Sequence, residues 1–129
     1  MKRVLVVDDN RDAANSLGML LNMLGMDVKM AYSGSDALLA VESFQPAVVL
    51  LDLGMPVMDG YEVARRLRQQ HGPELALIAL TGWGQDEDRR RTHDVGFDHH
   101  LTKPPDMASL QMLLTQLGRS TDQATELAR

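Results

Sequence analysis

The chain has 129 residues and no cysteine, with a formal net charge of −5. That length suits one domain with its own hydrophobic core. The lack of thiols excludes a disulfide framework, a zinc–thiolate site and thiol catalysis. The acidic balance opposes nonspecific attraction to nucleic acid or anionic membrane and favours cations and basic protein surfaces. The start MKRVLVVDDN is too short an apolar run for a signal-peptide core, and no stretch approaches the roughly 18 apolar residues of a membrane span. The expectation is a cytoplasmic protein in a reducing compartment that neither binds nucleic acid directly nor inserts in a membrane.

Short β-branched apolar runs alternate with longer stretches whose leucines recur every three or four residues, which is a βα pattern. In chain order, strands are predicted over Val4–Val7, Val28–Ala31, Val48–Leu51 and Leu77–Leu80, with a weaker one near Asp98–Leu101. Between them, Ala14, Leu17, Leu21 and Leu24 mark one helical face, Ala37, Leu38 and Val41 a second, and Val63, Ala64 and Leu67 a third. The fourth helix, Asp86–Val95, is the least apolar, with acids early and Arg89–Arg91 following, an order that suits the helix dipole. The last carries Met107, Leu110, Leu114 and Leu117. Gly25, Gly72 and Gly96 fall where left-handed helix ends occur, and Ser35 and Asp59 are the predicted N-caps. Strands that each lead into a helix imply right-handed crossovers, so the fold class is α/β, a doubly wound five-stranded parallel sheet with helices on both faces. One domain is expected over residues 1–118, and the polar end 119–129 reads as a tail or linker.

In open parallel sheets, ligands bind beyond the carboxyl ends of the strands, where strand order reverses. Strand one ends in Asp8-Asp9, strand three in Asp52, strand four in Thr81-Gly82 and strand five in Thr102-Lys103-Pro104. A strand-end aspartate by itself is often no more than a helix cap, but here three carboxylates converge. Three carboxylates brought close together repel unless a cation or a proton neutralises them. A hard, all-oxygen ligand set suits Mg²⁺. Lys103 is the matching charge partner for a carboxylate or a phosphoryl group, and Thr81 offers a hydroxyl donor. A phosphoryl group attacked by the Asp52 carboxylate would meet metal, ammonium and hydroxyl on its oxygens, as loose phosphoryl-transfer transition states require.

From Lys2 to about Leu117 the sequence resembles the receiver domain of two-component response regulators, through LVVDDN, LLDLGMPVMDG, ALTG and LTKP in that order and spacing. The resemblance implies a flavodoxin-like receiver fold with Asp52 as phosphoacceptor. It implies Mg²⁺ held by Asp9, Asp52 and the backbone carbonyl of Gly54, with Asp8 acting mostly through metal-bound water. Thr81 and Lys103 would contact the phosphoryl group, and the Lys103–Pro104 bond would be cis. Pro56 and Gly60 match the loop after the phosphoacceptor. The implied partner is a histidine kinase or a histidine phosphotransfer protein. The implied activity is that of a switch that promotes its own phosphorylation and dephosphorylation rather than of an enzyme with a separate substrate.

The chain departs from the family pattern three residues before the lysine, where many receivers carry the Tyr or Phe that swings inward as the threonine moves. Here the residue is His100. Thr81 and His100 are therefore the expected switch pair, and Trp83 is expected at the mouth of the site. The segment from Ala79 to Pro104 is closest in flavour to receivers attached to hybrid sensor kinases. That leaves two forms of the reading: a switch without its own output domain, acting by protein contact, or the excised C-terminal receiver of a hybrid kinase acting in a phosphorelay. A haloacid-dehalogenase-like phosphohydrolase also uses an aspartyl nucleophile and Mg²⁺, but its nucleophile belongs to a DxD after strand one, whereas the isolated aspartate here follows strand three. A degenerate receiver is opposed by the intact set Asp8, Asp9, Asp52, Thr81 and Lys103.

Overall fold

The computed structural model describes residues 2–55, 57–82, 86–103 and 105–115, with residues 86–89 described by backbone alone. Strands β1 (Arg3–Val7), β2 (Asp27–Ala31), β3 (Val48–Asp52), β4 (Ala76–Thr81) and β5 (His99–Thr102) form one sheet in the order β2-β1-β3-β4-β5. All pairings are parallel. Helices α1 (Arg11–Met23), α2 (Gly34–Phe44), α3 (Gly60–His71) and α4 (Asp86–Val95) connect them, and α5 occupies 107–115. Each expected strand is present; the first four are extended by at most one residue at either end, and the fifth is shifted by one, beginning at His99 rather than Asp98. The unbroken apolar runs have a physical cause: β1, β3 and β4 are central and buried on both faces.

Side chains of successive strand residues divide the core in two. Leu5, Val7, Val49, Leu51, Leu77 and Ala79 pack against α2 and α3. Val4, Val6, Val48, Leu50, Ile78 and Leu80 pack against α1 and α5. Each fully buried leucine contributes about 1.5–3 kcal/mol of transfer free energy, and the central strands hold four with no exposure, Leu5, Leu50, Leu51 and Leu77. The edge strands differ. β2 alternates exposed and half-buried positions before Ala31, and β5 has no buried residue, which explains the faint apolar signal of the fifth strand.

Helix starts are set by short polar side chains that accept an amide proton from the first turn. Asn10 accepts from Ala13 N, Asp59 from Glu62 N and Asp106 from Ser109 N. The expected cap at Ser35 is a correction: Ser33 holds the extended backbone (φ −154°) and accepts from Asp36 N, while Gly34 and Ser35 already lie in the first turn of α2. Gly25, Gly72 and Gly96 all take positive φ, as the sequence suggests, but α2 ends on the left-handed Gln45 (φ 52°).

The turn between α4 and β5 hangs on one arginine. The Arg68 guanidinium on α3 donates to the carbonyls of Gly96 (2.8 Å), Gly72 (2.9 Å) and Leu75 (2.6 Å) and to the Asp98 carboxylate (2.8 Å). Asp98 in turn accepts from Leu77 N at 2.9 Å, joining the clasp to the start of β4. Replacing Arg68 by Met keeps most of the volume and strips a donor from three carbonyls and a carboxylate. The expected loss is about 2–4 kcal/mol of folding stability, to be read from urea denaturation. A loss below about 0.5 kcal/mol, typical of an inert surface change, contradicts this account.

Candidate functional site

The strand order reverses between β1 and β3, and the two aspartates of the pattern sit at that point. Asp8 follows β1 and is only 3% exposed, and Asp52 closes β3 at 7%. The Asp8 amide donates to Ala31 O at 3.1 Å, which seats it on β2, while its Oδ1 accepts from Asn10 N at 3.0 Å. Asn10 thus begins α1 and steadies Asp8 at once. Asp52 Oδ1 accepts from Gly54 N at 3.1 Å. Asp9 is exposed, yet a carboxylate oxygen from each of Asp8, Asp9 and Asp52 lies within 4.8 Å of the others.

Lys103 completes the group from the far end of the chain. Its Nζ lies 2.8 Å from Asp8 Oδ2 and 3.1 Å from Asp52 Oδ1. Its amide donates to Thr81 O at 2.7 Å, which fixes the strand-end backbone from which the side chain reaches over. Thr81 itself is buried at the end of β4. His100 is half-buried on β5, opposite Ala79 in the β4 register, and lines cavities of about 310 and 300 Å³ on the α4 and α5 sides of that strand. The structure brings Asp8, Asp9, Asp52 and Lys103 together. Pro56, Trp83, Pro104, the expected cis bond, Leu117 and the tail from 119 lie outside the described residues.

Burial pushes the Asp52 pKa up, the Gly54 amide and the Lys103 ammonium hold it down in part, and the charge on Asp8 adds to the rise. Burial likewise opposes the charge on Lys103, but hydrogen bonds to Asp8 and Asp52 outweigh it and leave that pKa raised. The lysine therefore stays an ammonium, and the site holds more negative than positive charge. Hard oxygen donors from three carboxylates fit a small divalent cation.

A family model for the response regulator receiver domain matches residues 4–115. The chain belongs to the response-regulator receiver family. It is 32% identical over 130 residues to the DNA-binding dual master transcriptional regulator RpaA of Synechocystis, covering all of this chain and 54% of RpaA. It is 38% identical over 119 residues to the response regulator MprA of Mycolicibacterium vanbaalenii, covering 92% of this chain and 51% of MprA. The chain thus spans about half the length of these two relatives. The chemotaxis protein CheY4 of Vibrio cholerae superposes with a TM-score of 0.85 at 28% identity, covering 91% of this chain and 98% of CheY4. The receiver domain is a phosphoacceptor module of two-component signalling and serves as a signalling switch.

Two residues, one beside the site and one in the fold that supports β4 and β5, are not marked out by the strand-end pattern. Asn10 is a polar residue directly before an amphipathic stretch, a signal that was available. Arg68 had none, because its acceptors are mostly backbone carbonyls brought near only by folding.

The raised pKa of Asp52 has a consequence for stability. Well below the ordinary carboxylate range both folded and unfolded chains keep the proton. As pH rises the unfolded chain releases it first, so folding stability falls until Asp52 in the folded chain has ionised as well. Asp52→Asn removes this loss. Its stability relative to the parent is expected to be more favourable at about pH 7 than at about pH 3, on either side of the reference carboxylate value, by urea denaturation. An equal difference at both pH values refutes the raised pKa.

Proposed function

We propose that Asp52 accepts a phosphoryl group from a phosphohistidine of a histidine kinase or histidine phosphotransfer protein, and that Asp8, Asp9, Asp52 and the Gly54 carbonyl hold the Mg²⁺ this transfer needs. The observation that carries the reading is the approach of the three carboxylates to within 4.8 Å with Lys103 bridging Asp8 and Asp52. The Asp52 oxygen attacks phosphorus, the phosphorus–nitrogen bond breaks, and the imidazole leaves with the bonding pair. Mg²⁺ held by these acids would supply charge neutralisation for the transfer. Lys103 supplies a second positive charge and is already held beside Asp52. Thr81, buried at the end of β4, supplies a hydroxyl for a phosphoryl oxygen, and with His100 forms the switch that passes the change to the α4–β5–α5 face. The same acids and lysine serve the reverse step, in which water attacks the acyl phosphate, so the domain promotes its own dephosphorylation. Signalling then proceeds by protein contact, and no described helix is long and apolar enough to cross a membrane.

Incubation with acetyl phosphate and Mg²⁺ is expected to add one phosphoryl group at Asp52, located by mass spectrometry. Asp52→Asn abolishes the adduct, and withholding metal suppresses it. An undiminished adduct in the variant, or full modification in a chelator, sinks the assignment.

Binding of Mg²⁺ to the folded acids also raises stability by about 2.7 kcal/mol at one hundred times its dissociation constant. Melting curves with and without the ion should separate in the parent, and the gap should narrow in Asp9→Ala. Identical melting temperatures in the parent argue against the metal site.

A further inference from the structure

The amino ends of β3 and β4 lie at the end of the sheet remote from Asp52. There the ends of α2 and α3 and the 3-10 turn Gly72–Glu74 border a cavity of about 360 Å³. Its polar lining is Glu42 and Gln45 from the end of α2, His71 from the end of α3, and Glu74, with Val41 and Leu75 as an apolar wall. The His71 side chain is 28% exposed, yet its Nε2 is buried with no hydrogen-bond partner among the described residues. Native folds seldom leave a buried nitrogen in that state, and each instance calls for a cause.

The spacing around this nitrogen suggests one. Glu42 Oε1 stands 3.5 Å from Nε2, beyond the usual range of a hydrogen bond. Two donor atoms that share one tetrahedral ion, each bonded at about 2.0–2.2 Å, lie roughly 3.3–3.6 Å apart. The surroundings also favour a cation. α2 and α3 both end here, so their last carbonyls place two negative dipole ends beside the cavity. The last turn of α2 carries no basic residue, and the Arg68 guanidinium is committed to Gly72, Leu75, Gly96 and Asp98. Glu74 is exposed and has no basic partner among the described residues. An imidazole nitrogen beside carboxylate oxygens selects an ion such as Zn²⁺ over Mg²⁺, which takes oxygen donors.

We propose that His71, Glu42 and Glu74 bind Zn²⁺ or a chemically similar divalent transition-metal ion, clasping α2 to α3 at the end of the domain opposite Asp52. Among the described residues only the carboxylates of Asp8, Asp9 and Asp52 already lie within 4.8 Å of one another. Binding at His71 therefore draws the exposed Glu74 carboxylate into the cavity, with water or the Gln45 amide oxygen as fourth ligand. The site is separate from the acids at Asp52 and does not rest on their role.

The test titrates Zn²⁺ calorimetrically, with Mg²⁺ in excess, into Asp9→Ala, whose carboxylate site is impaired. His71→Gln, Glu42→Gln, Glu74→Gln and the pair His93→Gln with His99→Gln are then each added to that background. The expected result is one Zn²⁺ per chain and a raised melting temperature. Affinity falls about tenfold or more in each of the first three variants, at least the loss seen when a metal ligand merely loses its supporting contact. The pair at His93 and His99 binds as before. Absence of uptake reduces His71 and Glu42 to an ion pair and overturns the proposal. Uptake indifferent to His71→Gln or to Glu74→Gln, or uptake lost with His93 and His99, overturns it as well. Should His71→Gln fail to fold, Glu42→Gln decides, because that side chain is 64% exposed and its replacement leaves the ring in place.

Discussion

The ammonium of Lys103, set between Asp8 and Asp52 at 2.8 and 3.1 Å, is the constraint on which the site depends. Burial favours the neutral form of Asp52, and the neighbouring positive charge opposes that effect in part. The lysine is 95 positions away from Asp8 in the chain and reaches it only when β5 has docked on β4. Charge balance at the acids is therefore a product of the complete sheet, and a partly assembled domain would leave two buried carboxylates facing each other without it.

The rest of the site is positioned by backbone on strands that cannot shift sideways. β1 and β3 lie in the interior of the sheet with apolar layers on both faces, so the carboxylates that extend from their ends inherit that rigidity. The close approach of Gly60 to the Asp52 backbone starts α3 directly behind that residue. Any side chain at position 60 would have to push α3 away from β3, and the loop that carries Met55, Val57 and Met58 would move with it.

The sequence was most legible where one physical requirement dominates. Unbroken apolar runs located β1, β3 and β4, because strands buried on both faces admit no polar residue, and the acids at the ends of β1 and β3 stood out against them. Helical spacing was equally clear for α1 and α3. The signal failed where several weak preferences compete. Ser33 and Ser35 are both acceptable caps by composition, and only the backbone at Gly34 decides between them. The left-handed backbone at Val57 had no glycine or asparagine to announce it, and it follows from the inward anchoring of Met55 and Met58. Arg68 is one of three arginines of α3. Its neighbours Arg65 and Arg66 do pair with Glu62 at the surface, and nothing local separates the three.

Such point contacts hold α4 to the fold, whereas apolar layers hold the strands that carry the acids. α1, α2 and α3 bury rows of apolar side chains, whereas the α4 region meets the fold through Thr92, Phe97, the Arg68 clasp on Gly96 and Asp98, and Arg91 stacked 3.9 Å over the Tyr61 ring. The Arg68 clasp and the Arg91 stack are directional and separable, and breaking either does not open a cavity in the core, whereas Phe97 belongs to the core itself. Tyr61 adjoins Gly60 at the start of α3, so the α4 contact at Arg91 bears on the same turn that closes behind Asp52. Lys103 and Thr81 are joined by the amide-to-carbonyl bond that links β5 to β4. β5 is thus an edge strand held by hydrogen bonds rather than by buried residues of its own, whereas apolar layers on both faces of the central strands keep the acids in register.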